Sequence, residues 1–237
     1  MTTDALANAA VARRTGATAS SVAEAAAIEC IATAFLLIAV VGSGIMGERL
    51  SGGNVGIALL ANAIATGGAL MALILAFGPR SGAHMNPAVT LAAALTGGLR
   101  WSAVPAYILA QIVGAVAGVW LAHIMFELPV LQLSTHVRSG TGQWVAEAIA
   151  TFGLLATIWG CRAHAAPVTA FAVAAYITGA YWFTASTSFA NPAVTLARSL
   201  TDTFAGIRPA DATGFILAQL AGLLLALPLL RRTAHAA

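Results

Sequence analysis

The chain has 237 residues, of which 59% are hydrophobic and only 8% charged, with a formal net charge of +3. Soluble domains carry roughly 25% charged residues, so a water-facing surface is excluded, and so is disorder, which requires little apolar side chain. The eleven basic residues are all arginines, scattered singly or in pairs without a basic stripe, which argues against a nucleic-acid partner. Two cysteines, Cys30 and Cys161, are too few for a disulfide scaffold. The composition is that of a multi-pass membrane protein in contact with a lipid bilayer.

Residues 1–21 are rich in Ala, Thr and Ser, contain Arg13 and Arg14, and are expected to be a disordered cytoplasmic N-terminus. No short apolar core with a cleavage site precedes the first long span, so a secretory signal is not expected. A membrane helix needs about 20 mostly apolar residues, and six stretches qualify: Val22–Met46, Val55–Phe77, Ala103–Phe126, Trp144–Cys161, Val168–Phe183 and Thr213–Leu230. Two pieces, Pro87–Leu95 and Pro192–Leu200, are apolar but too short to span. Each opens on proline, which suits the first turn of a helix, and each follows a polar Gly- or Ser-rich stretch. They read as half-helices entered from re-entrant loops. With the N-terminus inside, seven arginines fall on the inner side and four on the outer, and this bias predicts that both termini are cytoplasmic. Residues 231–237 form the expected cytoplasmic tail.

An internal repeat organises residues 22–230. Asn-Pro-Ala-Val-Thr-Leu-Ala occurs at Asn86–Ala92 and again at Asn191–Ala197, 105 residues later. Upstream of each copy lies a glutamate in similar surroundings, Glu29 and Glu147; downstream lie Ile-Leu-Ala-Gln segments ending at Gln111 and Gln219. The halves, about 22–126 and 144–230, each read as a helix with Glu, a helix, a half-helix and a helix with Gln. Three spans per half make the repeat inverted, so the half-helices point at each other from opposite faces. Repeats of this kind often mark a solute site at their interface. The expected fold is therefore an all-α membrane protein with six transmembrane helices and two re-entrant half-helices.

Each half-helix N-terminus carries about half a positive elementary charge, so two converging ends disfavour cations. Asn86 and Asn191 stand at the N-cap positions, where a side-chain oxygen accepts from free N–H groups. Their amide NH2 groups are expected to face a lumen as donors. Glu29 and Glu147 allow two readings: proton coupling, or acceptance of hydrogen bonds that pin each loop backbone. Their symmetric placement favours the second. His84 reads as a loop hydrogen-bonder, since no other His, Cys or Asp has metal-ligand spacing to it. No metal or cofactor is called for, and without a nucleophile–base pair or a phosphate loop there is no basis for an enzyme.

The paired Asn-Pro-Ala motifs, the stretch Ser81-Gly82-Ala83-His84-Met85-Asn86-Pro87-Ala88-Val89-Thr90, the two glutamates and the two glutamines resemble the aquaporin/aquaglyceroporin, or major intrinsic protein, family over roughly Ala23–Leu230. The resemblance implies one pore per subunit, a homotetramer, pore-lining Asn86, Pro87, Ala88, Asn191, Pro192 and Ala193, and a loop-supporting role for Glu29 and Glu147. In most of that family an arginine follows the second motif and lines the narrowest ring; here Val194 stands there. Carried over by spacing, the ring becomes Thr66, Gly179, Ser188 and Val194: small, uncharged and hydroxyl-bearing. Such a ring resembles the aquaglyceroporins associated with arsenic-resistance operons. It implies passage of small uncharged solutes wider than water, such as glycerol, urea and arsenite, possible passage of methylated arsenicals, and water as well. Arg198, one turn further out, is read either as an outer-vestibule charge or as an interface residue. Alternatives kept open are an ion-coupled secondary transporter, a shut structural protein and a predominantly water-conducting aquaporin. The expected location is the bacterial inner membrane.

Overall fold

The computed structural model describes residues 21–234, and all regular structure among them is helical. In chain order the helices are α1 (Val22–Leu50), α2 (Val55–Ser81), the half-helix α3 (Pro87–Leu95), α4 (Val104–Met125), α5 (Thr141–Gly160), α6 (Ala166–Phe183), the half-helix α7 (Pro192–Arg198) and α8 (Pro209–Ala234). Of the segment 1–21 expected to be disordered, residues 1–20 lie outside the described residues, as does the end of the tail at 235–237, while Ser21 is described.

Helix ends follow local chemistry. Ser21 caps α1 by accepting from Glu24 N at 3.1 Å, and Asn54 caps α2 by accepting from Ile57 N at 3.1 Å. Helix α2 runs through Pro79 to Ser81 and stops at Gly82, whose φ of 90° is a left-handed cap that glycine adopts without a Cβ penalty. The segment Gly78–Ser81, expected as loop, is therefore helical. Helix α8 is longer than its apolar stretch at both ends, and α7 stops at Arg198, two residues short of the expected Leu200.

Among the described residues, five helices are long and apolar enough to cross a membrane. The sixth long helix, α5, has 20 residues, but Gln143 and Glu147 lower its apolar character. Side-chain distribution is inverted relative to a soluble protein. Phe35, Ile64, Leu109, Leu217 and Leu225 are all more than half exposed, whereas Glu29, Gln111, Glu147 and Gln219 are fully buried. In a bilayer the outward apolar faces meet lipid and the polar groups must find partners inside.

Within each half the Glu-bearing helix packs on the Gln-bearing one, α1 on α4 and α5 on α8. Small residues permit the close approach. A methyl group on Gly114 would run into the Cys30 carbonyl, and one on Gly222 into the Ala148 carbonyl. This tight pairing sets the depth at which Glu29 faces Gln111 and Glu147 faces Gln219.

Candidate functional site

The two re-entrant loops are built alike around a buried carboxylate. Glu29 Oε1 accepts from Ser81 Oγ at 2.7 Å and His84 N at 2.9 Å, while Oε2 accepts from Met85 N at 2.6 Å and Gln111 Nε2 at 2.8 Å. Glu147 Oε1 accepts from Ser186 Oγ at 2.6 Å and Phe189 N at 2.8 Å; its Oε2 accepts from Ala190 N at 2.8 Å and Gln219 Nε2 at 2.6 Å. Gln111 and Gln219 each give a second bond, to Thr90 Oγ1 and Thr195 Oγ1. Two backbone N–H groups can reach one carboxylate only if the loop curls tightly. Ala83, Met85, Ser188 and Ala190 accordingly have φ between 44° and 52°. Left-handed backbone costs a non-glycine residue roughly 1–2 kcal/mol, and the charge-assisted bonds, at about 1.5–3 kcal/mol each, offset it.

Downstream of each curl the asparagine caps its half-helix. Asn86 Oδ1 accepts from Ala88 N at 2.8 Å; Asn191 Oδ1 accepts from Ala193 N at 3.0 Å and Val194 N at 3.2 Å. The amide nitrogens are not simply left as lumen donors, as the sequence suggested. Asn86 Nδ2 donates to Ala190 O at 2.8 Å, and Asn191 Nδ2 donates to Met85 O at 2.7 Å. These reciprocal bonds lock the two half-helix ends together, and one N–H on each amide remains.

The joined ends border an internal cavity of about 240 Å³. Asn86 and Asn191 line it, as do Val89 and Ala93 from one half-helix and Val194 and Arg198 from the other. No carboxylate is among the described residues of its lining. Of the expected ring, Thr66, Ser188 and Val194 lie on the cavity wall, and Ser188 Oγ has no hydrogen-bond partner. Gly179 does not line it. Helix α6 turns Val173, Ile177 and Tyr181 to the cavity at intervals of four residues. A residue two places from both Ile177 and Tyr181 points to the opposite side, where a Cβ on Gly179 would meet only Phe183. Tyr181 takes the place instead, its hydroxyl 3.2 Å from Thr66 Oγ1. The wall is therefore less open than a ring containing glycine.

Arg198 is buried and turned inward, its Cζ 3.4 Å from the centroid of the Phe189 ring and its Nε donating to Ala205 O. At the other end of the cavity His84 bonds Thr90 Oγ1 through Nδ1 at 3.1 Å, and Arg162 lies over Trp159 at 4.1 Å from Cζ to centroid. Sequence reasoning missed Tyr181, Phe189 and Arg162. Counting fours back along α6 would have found Tyr181, once its inward face was known.

The major intrinsic protein model matches residues 17–169, more than half of the chain. The chain is 54% identical over 204 residues to the aquaglyceroporin AqpS of Rhizobium meliloti strain 1021, covering 86% of this chain and 87% of that protein. It is 34% identical over 116 residues to the glycerol uptake facilitator protein of Streptococcus pneumoniae, covering 43% of this chain and 50% of the relative. The crystal structure of the aquaglyceroporin from Plasmodium falciparum superposes with a TM-score of 0.70 at 20% identity, over 90% of this chain and 96% of the other, a likeness of fold.

Proposed function

The chain belongs to the major intrinsic protein family, and from that premise we propose that it is a passive channel for small uncharged solutes wider than water. The family is one of membrane channels, not of enzymes, and the aquaglyceroporin and glycerol-facilitator relatives support glycerol and similar solutes as cargo. The observation that carries the reading is the cavity into which both half-helix N-termini open, with no carboxylate in its described lining. Two positive dipole ends disfavour a cation, while the remaining amide N–H groups and the hydroxyls offer bonds to a neutral polar solute. Pore width, lining groups and electrostatic barriers set selectivity in such channels.

In this reading the pore motifs are Asn86, Pro87, Ala88, Asn191, Pro192 and Ala193, the constriction includes Thr66, Tyr181, Ser188 and Val194, and Glu29 and Glu147 hold the loops. Glycerol is the first solute, with urea, trihydroxy metalloids such as arsenite, methylated arsenicals and water as further candidates. The assembly is a homotetramer in a bacterial inner membrane with both termini cytoplasmic, as the arginine distribution favours. Four filled acceptor positions on each of Glu29 and Glu147 leave neither carboxylate free for proton coupling, which speaks against a secondary transporter.

The test is stopped-flow light scattering on proteoliposomes, with glycerol and then water gradients, before and after proton and sodium gradients are collapsed. Glycerol entry well above that of protein-free vesicles and indifferent to those gradients is expected. Flux that follows either ion gradient would overturn the proposal.

A further inference from the structure

Val194 leaves the wall without charge at the place where the resemblance implies an arginine, yet a guanidinium is present one turn away. Val194 and Arg198 are four residues apart on one short helix, so both face the same way, and both line the cavity. The repeat supports this orientation: Val89 and Ala93 occupy the corresponding places on α3 and line the cavity too. Resting on the channel reading above, we propose that Arg198 supplies the fixed positive charge and the principal N–H donors of the constriction, from one turn beyond the customary place.

The surroundings hold Arg198 as a built element. The short segment after α7 turns its carbonyls toward two guanidinium groups. Arg198 Nε donates to Ala205 O, while Arg138 donates from Nε to Gly206 O at 2.7 Å and from Nη2 to Phe204 O at 3.4 Å. The backbone closes the turn with Ile207 N donating to Arg198 O at 3.2 Å. Gly206 admits no side chain, because a methyl group there would meet Ser134 Oγ and the Thr201 carbonyl. Phe189 lies beneath both cations, with Cζ atoms 3.4 Å and 5.3 Å from its ring centroid, an arrangement in which the ring quadrupole attracts charge.

This accounts for a difference between the halves. Phe189 stands where the first half has His84; a phenyl face stabilises the two arginines, whereas an imidazole would add a third basic group. The terminal amino groups of Arg198 make no hydrogen bond among the described residues. No carboxylate forms an ion pair with it among the described residues or shares the cavity lining, so the guanidinium repels cations and presents donors to an oxygen-bearing solute.

Arg198→Met keeps length and removes charge. In proteoliposomes its potassium leak should rise about tenfold or more, since each 1.4 kcal/mol taken from a barrier is tenfold in rate, and glycerol permeability should rise more than water permeability. Arg198→Lys should keep the leak low. Val194→Arg, in a chain that retains Arg198, carries the test if Arg198→Met does not fold. It should lower glycerol flux without reducing an already small leak. A folded Arg198→Met protein with native leak and a native glycerol-to-water ratio would overturn the proposal. So would a fall of about tenfold in leak on Val194→Arg, because the native constriction would then have lacked charge. Native vesicles that pass neither glycerol nor water would instead overturn the channel reading itself.

Discussion

The loop and half-helix of the first repeat and those of the second share one hidden frame and differ in what they show to the cavity. Glu29, Ser81, Met85, Thr90 and Gln111 match Glu147, Ser186, Ala190, Thr195 and Gln219 bond for bond. The backbone reverses sign at matching places, Ala83 with Ser188 and Met85 with Ala190. Around this frame the pairs diverge. His84 packs with Tyr107 at 5.4 Å between centroids, whereas Phe189 packs with Phe215 at 5.1 Å. Ala93 on one half-helix becomes Arg198 on the other. The buried acceptors and donors impose strict geometry, so the frame repeats; the wall carries no such constraint, and in the proposed function it is the wall that sets selectivity.

If the frame is shared, equivalent substitutions in the two halves should cost alike. The largest effect is expected for Glu29→Gln and Glu147→Gln. Each removes a charge that accepts four buried hydrogen bonds and turns an NH2 group toward donors, at about 1.5–3 kcal/mol per bond lost, against a typical stability of about 5–15 kcal/mol. Both should sharply reduce the yield of monodisperse protein, and normal folding with loss of proton-coupled flux would contradict the scaffold role. Next come Gly114→Val and Gly222→Val, which push apart the two tight helix pairs. Overpacking costs typically 1–3 kcal/mol, and matched falls in thermal midpoint are expected. Asn86→Ala and Asn191→Ala should each lose a cap worth about 1 kcal/mol together with the cross-bond, again to similar extents. A large difference within any pair would break the comparison.

The smallest effect tests where the halves part. Asp202, with Gly97 at the corresponding place in the first half, accepts from Thr135 N at 2.7 Å and Thr135 Oγ1 at 2.9 Å. The Thr135 N–H holds its carboxyl below the usual carboxylate range. A carboxyl depressed on folding contributes stability above its unfolded pKa and loses it as pH falls through the folded one. Thermal midpoints should therefore fall slightly more steeply in acid for the native chain than for Asp202→Asn.

Much of the frame was legible in the sequence because its chemistry is local. An Asn-Pro pair is a local cap signal, and its duplication beside matched Glu and Gln residues, with three spans in each half, implies the inverted topology. The wall was harder to read, because lining a pore depends on helix phase. Gly179 was placed by counting back from Asn191 through a curled loop of unknown path, and two residues of error exchange the inner face of α6 for its outer one. Arg198 could not be assigned for a similar reason. The four-residue spacing puts it on the Val194 face, but what it meets there depends on how the chain turns after the short half-helix, and the carbonyls of Phe204, Ala205 and Gly206 that hold the two arginines come from that turn. The reach of Asn86 and Asn191 across to the opposite loops needs both halves docked, which no single segment encodes.

The central claim is that the cavity between the half-helices is the solute path and that its wall sets what passes. Paired stopped-flow measurements of glycerol and water permeability in Tyr181→Ala and Gly179→Ala proteoliposomes test it most directly. Removing the Tyr181 ring widens the wall beside Thr66, so the glycerol-to-water ratio should rise severalfold, while a methyl on Gly179, in ordinary contact with Phe183 and away from the cavity, should leave the ratio at its native value. A native ratio in folded Tyr181→Ala, or a shift in Gly179→Ala alone, would contradict the account.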